Sequence, residues 1–206
     1  MKKGEKRRLE LLQIAYRMFL TQGYENTSVD EIIEAAGIAK GTYYYYFQGK
    51  EQMLEAVIGM MLDAEVEAAR QILATEMPVP QKIVGIIASA RPTQEEQPIE
   101  AVLNRPENVL MHKKIQEQLL ETFVPLLSEA VEEGVRCGFF ACDHIPERVK
   151  MLLILGSALF DEASFTEAEA DVFISVVEVL LGTAPGGMGF LRTLIQYGRE
   201  HEQQKQ

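Results

Sequence analysis

The sequence has no tryptophan, two cysteines, and no apolar run longer than MLLILGSALF, the ten residues from Met151 to Phe160. Each absence excludes something. Two cysteines in 206 residues make no disulfide framework. A ten-residue run falls short of the roughly 18 residues that a membrane-crossing helix needs. The opening, MKKGEKRRLE, is basic but leads into an amphipathic pattern without the apolar core of a signal peptide. These features predict a soluble, cytoplasmic protein with no membrane partner. Glycine and proline are scattered, which excludes collagen-like and low-complexity readings. No Ser/His/Asp constellation and no phosphate-binding glycine loop is present, so an enzyme is not expected. Cys137, Cys142 and His144 form a C-x4-C-x-H cluster. Its spacing matches no standard zinc pattern and its fourth ligand is not evident, so it is read as ordinary core cysteine. Neither a metal nor a cofactor is expected.

What is present is a hydrophobic content of 47%, enough for a substantial core, and a net charge of −11 that is unevenly spread. Residues 1–50 hold eight Lys/Arg against six Asp/Glu, whereas the remainder holds 12 against 25. A slightly basic end on an acidic body points to a small segment that meets a polyanion.

The apolar pattern is helical almost throughout. Leu12, Ala15 and Phe19 recur at helical spacing before Gly23. Ser28 and Glu31 then form a capping box ahead of Val29, Ile32, Ile33 and Ala36, which define one inward face. Gly37 stops that helix, and a short helix carrying four consecutive tyrosines begins about three residues later. Two short helices joined by a tight turn, behind a longer one, predict a helix-turn-helix. Further helices are expected from Lys50, from about Val79 to Ala90, over 107–137 with a kink or split at Pro125, over 146–163 and 166–182, and from about Phe190 to Arg199. RPTQEEQPIEAVLNRPEN, between the second and third of these, reads as a loop. No strand pattern is found. The fold class is all-α: a three-helix domain with a helix-turn-helix over 1–49, then a larger helical domain over 50–206, the first expected to be DNA-binding.

In a helix-turn-helix the second helix enters the major groove of DNA and its leading residues reach base edges. Lys40 stands at that leading end, Gly41 lets the backbone approach closely, and Lys50 is placed to reach a phosphate. Helix geometry sorts the tyrosines. Tyr43 and Phe47 share an inward face, Tyr44 lies on the reading edge with Lys40, and Tyr45 and Tyr46 fall on flanks that straddle the sugar-phosphate backbone.

The stretch AYRMFLTQGYENTSVDEIIEAAGIAKGTYYYYFQGKEQMLEAV, Ala15 to Val57, resembles the DNA-binding region of TetR-type (tetracycline-repressor-like) transcriptional regulators. The shared features are Ala-x-x-x-Phe running to Gly-Tyr, the Thr-Ser before the second helix, Ala-Gly-Ile before Lys-Gly-Thr, the aromatic run and the lysine that begins the fourth helix. The resemblance implies DNA contacts from Thr27 or Ser28, Lys40, Gly41, Thr42, Tyr44, Tyr45, Tyr46 and Lys50. One departure is Ala39, where the family often has a serine that caps the recognition helix. That loss is worth about 1 kcal/mol. The resemblance further implies that 50–206 is a helical ligand-binding and dimerisation domain, and that the protein is a homodimer on a palindromic duplex operator, released by a small-molecule effector.

The helices at 146–163 and 166–182 are apolar on more than one side, which suits a dimer interface formed by Leu152, Leu155, Gly156, Leu159, Phe173, Val176, Val177 and Leu180. The cluster at Gly156 would let another helix come close. Met60, Met61, Met111, His112 and Phe123 are candidate effector contacts, although such residues on an apolar stripe are more often plain core. The contrasting reading is a helical small-molecule or protein-binding module that has lost DNA binding.

Overall fold

A computed structural model describes residues 3–90, 108–160 and 165–195. Among these the regular structure is helical and no strand is present. The helices are α1 (Lys3–Gln22), α2 (Val29–Ala36), α3 (Lys40–Tyr46), α4 (Lys50–Leu73), α5 (Val79–Ser89), α6 (Val109–Arg136), α7 (Ile145–Phe160) and α8 (Glu167–Leu181). A short helical turn over 191–195 follows. The expected loop falls almost wholly outside the described residues, as does the end of the last expected helix. The chain packs as two units, Met1–Ala64 with Pro92–Leu119, and Glu65–Arg91 with Leu120–Gln206. These are units of packing.

The first unit is built on one core. Leu11, Leu12, Ala15 and Phe19 of α1 meet Ile32 of α2, Tyr43 of α3, Phe47, and Met53, Leu54, Val57 and Ile58 of α4. All are nearly or wholly buried, and each large apolar side chain so placed stabilises the fold by about 1.5–3 kcal/mol. The capping box forms: the Glu31 amide donates to the Ser28 hydroxyl at 3.2 Å, and the Glu31 carboxylate accepts from the Ser28 amide at 2.7 Å. These bonds to Ser28 hold the Glu31 carboxyl below its ordinary pKa. Val29, Ile33 and Ala36 pack on the core but stay partly exposed, so Ile32 alone carries the fully buried face of α2. Asn108 and Met111, from far along the chain, complete this unit. Met111 lies in its core, and the Tyr24 amide donates to Asn108 Oδ1 at 2.8 Å.

In the second unit α6 runs unbroken through Pro125 rather than splitting there. The missing amide costs one helix bond, and Phe123, Leu126, Leu127, Ala130 and Val131, buried on either side of Pro125, hold the helix together. Lys82 of α5, only 4% exposed, donates to the Glu133 carboxylate of α6 at 2.7 Å. The α8 helix has its own capping box, Thr166 with Glu169, and ends at Gly182. Gly182 has φ 66°, and a Cβ there would lie 2.1 Å from the Ala141 carbonyl oxygen, so no other residue fits. The same approach allows the Ala141 amide to donate to the Leu181 carbonyl at 3.0 Å. Buried Glu178 accepts from the amides of Gly186 and Met188 at 2.8 and 3.1 Å and so shapes the turn after α8.

Candidate nucleic-acid interface

The four tyrosines of α3 divide as a 100° helical step requires. Tyr43 and, at the end of the helix, Phe47 are buried with ring centres 5.8 Å apart. The Tyr43 hydroxyl donates to the Gly49 carbonyl at 3.2 Å, which ties the end of α3 to the start of α4. Burial, and then the neighbouring Tyr44, push the Tyr43 hydroxyl up to about 12. Tyr45 is 81% exposed and Tyr44 48%. Tyr46 is half-buried, with its ring edge-on to Tyr45 at 4.9 Å. Edge-on packing, also seen between Tyr43 and Tyr44 at 5.4 Å, holds the outer rings without covering them. Gly41 faces open space, so the first turn of α3 presents bare backbone to whatever approaches. Thr42 is half-buried, and its amide donates to the Ala39 carbonyl at 2.8 Å. Ala39 occupies the N-cap position without a side-chain bond.

The cationic and hydroxyl groups expected at this face are mostly engaged within the chain. Of the pair Thr27 and Ser28, Thr27 is turned inward. It is 1% exposed, and its hydroxyl donates to the Gly23 carbonyl at 2.7 Å. Ser28 is at the surface, but its hydroxyl serves the capping box. Lys40 is exposed and paired with Asp30 of α2 at 3.0 Å, which raises the lysine above its ordinary pKa. The Lys50 ammonium donates to the carbonyls of Tyr24 and Glu25 at 3.0 and 3.3 Å and lies over the Tyr24 ring. Arg8 of α1, not expected from sequence, stands over the Phe47 ring at 5.3 Å. Asn108 and Asp30 were likewise missed: neither belongs to a local motif, and their partners lie 84 and ten positions away.

Residues 11–57 match the model of a family described as bacterial regulatory proteins, tetR family. The HTH-type transcriptional repressor KstR2 of Mycolicibacterium smegmatis is 32% identical over 136 residues, 62% of this chain and 66% of that one. The chain belongs to the TetR family. The Rhodococcus jostii repressor of the same name is 39% identical over 69 residues, 34% of either chain. This TetR-family chain therefore spans about a third to two thirds of the length of those relatives. The crystal structure of RolR with its ligand resorcinol superposes with a TM-score of 0.60 at 19% identity, covering 96% of this chain and 93% of that one. It shows that the two share a fold.

The residues expected at the body of the TetR-family chain are placed as follows. Met60 and Met61 pack against the core that contains Met111, and Met60 also lines an open groove of about 390 Å³ beside Leu9, Leu12 and Gly59. His112 lies 2.9 Å from Gln116 on the same helix, and Phe123 is buried in the second packing unit. On α7, Leu155 is exposed and Leu152, Gly156 and Leu159 are partly so; on α8, Phe173, Val176 and Leu180 are partly exposed. Val177, 4% exposed, is core of its own chain, because it falls on the face of α8 shared with Ile174 and Leu181. Gly156 is used within the chain: a Cβ there would lie 3.4 Å from the Phe173 ring. Met151, Ile154, Val172 and Val179, not expected, extend the exposed apolar face. Cys137 is exposed and Cys142 half-buried, both free, and burial raises the Cys142 thiol.

Proposed function

We propose that the protein is a DNA-binding transcriptional regulator acting as a repressor, a homodimer on a palindromic duplex operator that a small molecule releases. The observation that carries this is the outer face of α3. Tyr44 and Tyr45 stand exposed beside the open backbone of Gly41, while Tyr43 and Phe47 brace the helix from behind. Tyrosine offers a flat apolar face to a thymine methyl and a hydroxyl to a phosphate. On this reading Lys40, Thr42, Tyr46 and Lys50 flank the contact, Ser28 sits at its edge, and residues 1–49 form the DNA-binding segment.

Residues 50–206 then supply the effector site and the dimer. The apolar faces of α7 and α8 meet their copies about a two-fold axis, which sets two recognition helices about one DNA turn apart. An effector that favours one spacing of those helices lowers DNA affinity by the factor that DNA lowers effector affinity. A cytoplasmic location follows from a chromosomal target. The second reading, a binding module without DNA affinity, is favoured by the internal engagement of Thr27 and Ser28.

Selection of random duplex DNA on the purified chain at near-physiological salt separates the two. Enrichment of a palindrome that a Tyr44→Ala variant loses is the expected result. No enrichment, even at low salt, would leave only the binding module.

A further inference from the structure

The Gly23–Tyr24 peptide is held at both ends by buried side chains. Its carbonyl accepts from the Thr27 hydroxyl at 2.7 Å, and its amide donates to Asn108 Oδ1 at 2.8 Å. Thr27 is local, whereas Asn108 lies 84 residues away and is 1% exposed. Gly23 has φ 90°, in a region where glycine moves freely, so local sterics do not fix this peptide plane. The next two carbonyls, those of Tyr24 and Glu25, are the acceptors of the Lys50 ammonium. That ammonium lies 4.3 Å from the centre of the Tyr24 ring, and the ring is set edge-on against Phe19 at 5.2 Å. A change in Gly23 ψ that is not offset at Tyr24 φ would displace all three groups that hold Lys50, against the Thr27 amide that also donates to the Tyr24 carbonyl at 3.2 Å.

An ammonium has three donors. With two on carbonyls, Lys50 keeps one for a phosphate, and its long side chain is ordered before DNA arrives, which lowers the entropic cost of the contact. Lys114 anchors the same neighbourhood. Its ammonium lies 3.4 Å from Glu51 and 3.3 Å from Glu55, on the first turns of the helix that Lys50 begins.

We propose that Asn108 is a positioning residue for DNA binding: it fixes the Gly23–Tyr24 peptide and so holds the carbonyls that aim Lys50. This role rests on the DNA-binding reading above. It is tested on the full chain with the duplex recovered by selection, by measuring Kd against KCl concentration for wild type, N108A, N108D, K50M and N108A/K50M. N108A is expected to bind about tenfold more weakly, the scale of one buried hydrogen bond. N108D keeps an acceptor oxygen but buries a carboxylate, so it is expected to bind between wild type and N108A and to move toward wild type as pH is lowered. N108A/K50M is expected to bind no more weakly than K50M, because Asn108 acts through Lys50. An N108A penalty of the same size in the K50M background, or no N108A penalty at all, overturns the role while leaving DNA binding intact. If N108A does not fold, Thr27→Val releases the other end of the same peptide. Its penalty must also vanish with K50M, and a penalty independent of Lys50 overturns the proposal. A wild type that selects no duplex at any salt overturns both readings.

Discussion

The outer face of α3 and the outer faces of α7 and α8 are both exposed, but in opposite ways. On α3 the exposed large side chains are Tyr44 and Tyr45, each with a polar tip, on a helix whose inner rings are wholly buried. On α7 and α8 they are Met151, Ile154, Leu155, Val172 and Val179, with no polar atom beyond the thioether. On the proposed function the first surface, with its polar tips, meets a wet, charged polymer reversibly. The second suits a face covered by its copy in the proposed dimer. The difference teaches that exposure alone does not name a partner, because the chemistry of the exposed tips does.

The largest effect is expected where the uncovered aliphatic face is charged. Val172 and Val179 are 64% and 78% exposed in the single chain, so Val172→Asp with Val179→Asp leaves its helicity unchanged. Two charges facing their copies are expected to give monomers by sedimentation and to weaken palindrome binding by about a hundredfold. Dimers of undiminished affinity would place the interface elsewhere.

The next effect tests the inner wall of α3. The unfolded chain ionises Tyr43 near 10, while burial and then Tyr44 hold the folded group near about 12. Its neutral form therefore favours the folded state. That contribution is fully present below about pH 10 and is lost as pH rises through about 12, amounting to about 2–3 kcal/mol. Urea unfolding across this range is expected to show a smaller decline for Tyr43→Phe than for wild type, and equal declines would contradict the assignment.

The smallest effect is at the rim. Asp30 and Lys40 are both well exposed, so their pair adds little to stability. Asp30→Asn frees the ammonium and is expected to tighten operator binding a few-fold at low salt, steepening the log–log salt slope by up to about 0.9. An unchanged slope would set Lys40 away from the phosphates.

The parts legible in the sequence are those written locally. The Ser28–Glu31 and Thr166–Glu169 boxes, the Tyr43–Phe47 pair and the all-helical class depend on spacings of three or four residues and are found in the structure. Periodicity also located α5, α6, α7 and α8 to within a few residues, because an apolar stripe repeats over several turns. It could not choose between the adjacent hydroxyls of Thr27 and Ser28, since only the position of the Gly23 carbonyl turns one of them inward. It marked Gly156 as a place where another helix comes close but not that this helix is α8 of the same chain, through Phe173, because a small residue does not record what approaches it. Asn108 was illegible for a further reason: a polar residue beside a proline-rich stretch reads as loop until a buried amide 84 positions away is seen to need it.

Gly182 bears on how genetics will see this protein. A Cβ at that position meets both a left-handed backbone and the Ala141 carbonyl, so nearly every missense change there disrupts the junction of α8 with the chain before α7. On the proposed repressor function, a screen for derepressed colonies is expected to recover Gly182 and Tyr44 with the same phenotype. Immunoblots would separate them: alleles at 182 would deplete the protein, whereas alleles at 44 would leave it abundant and blind to its target.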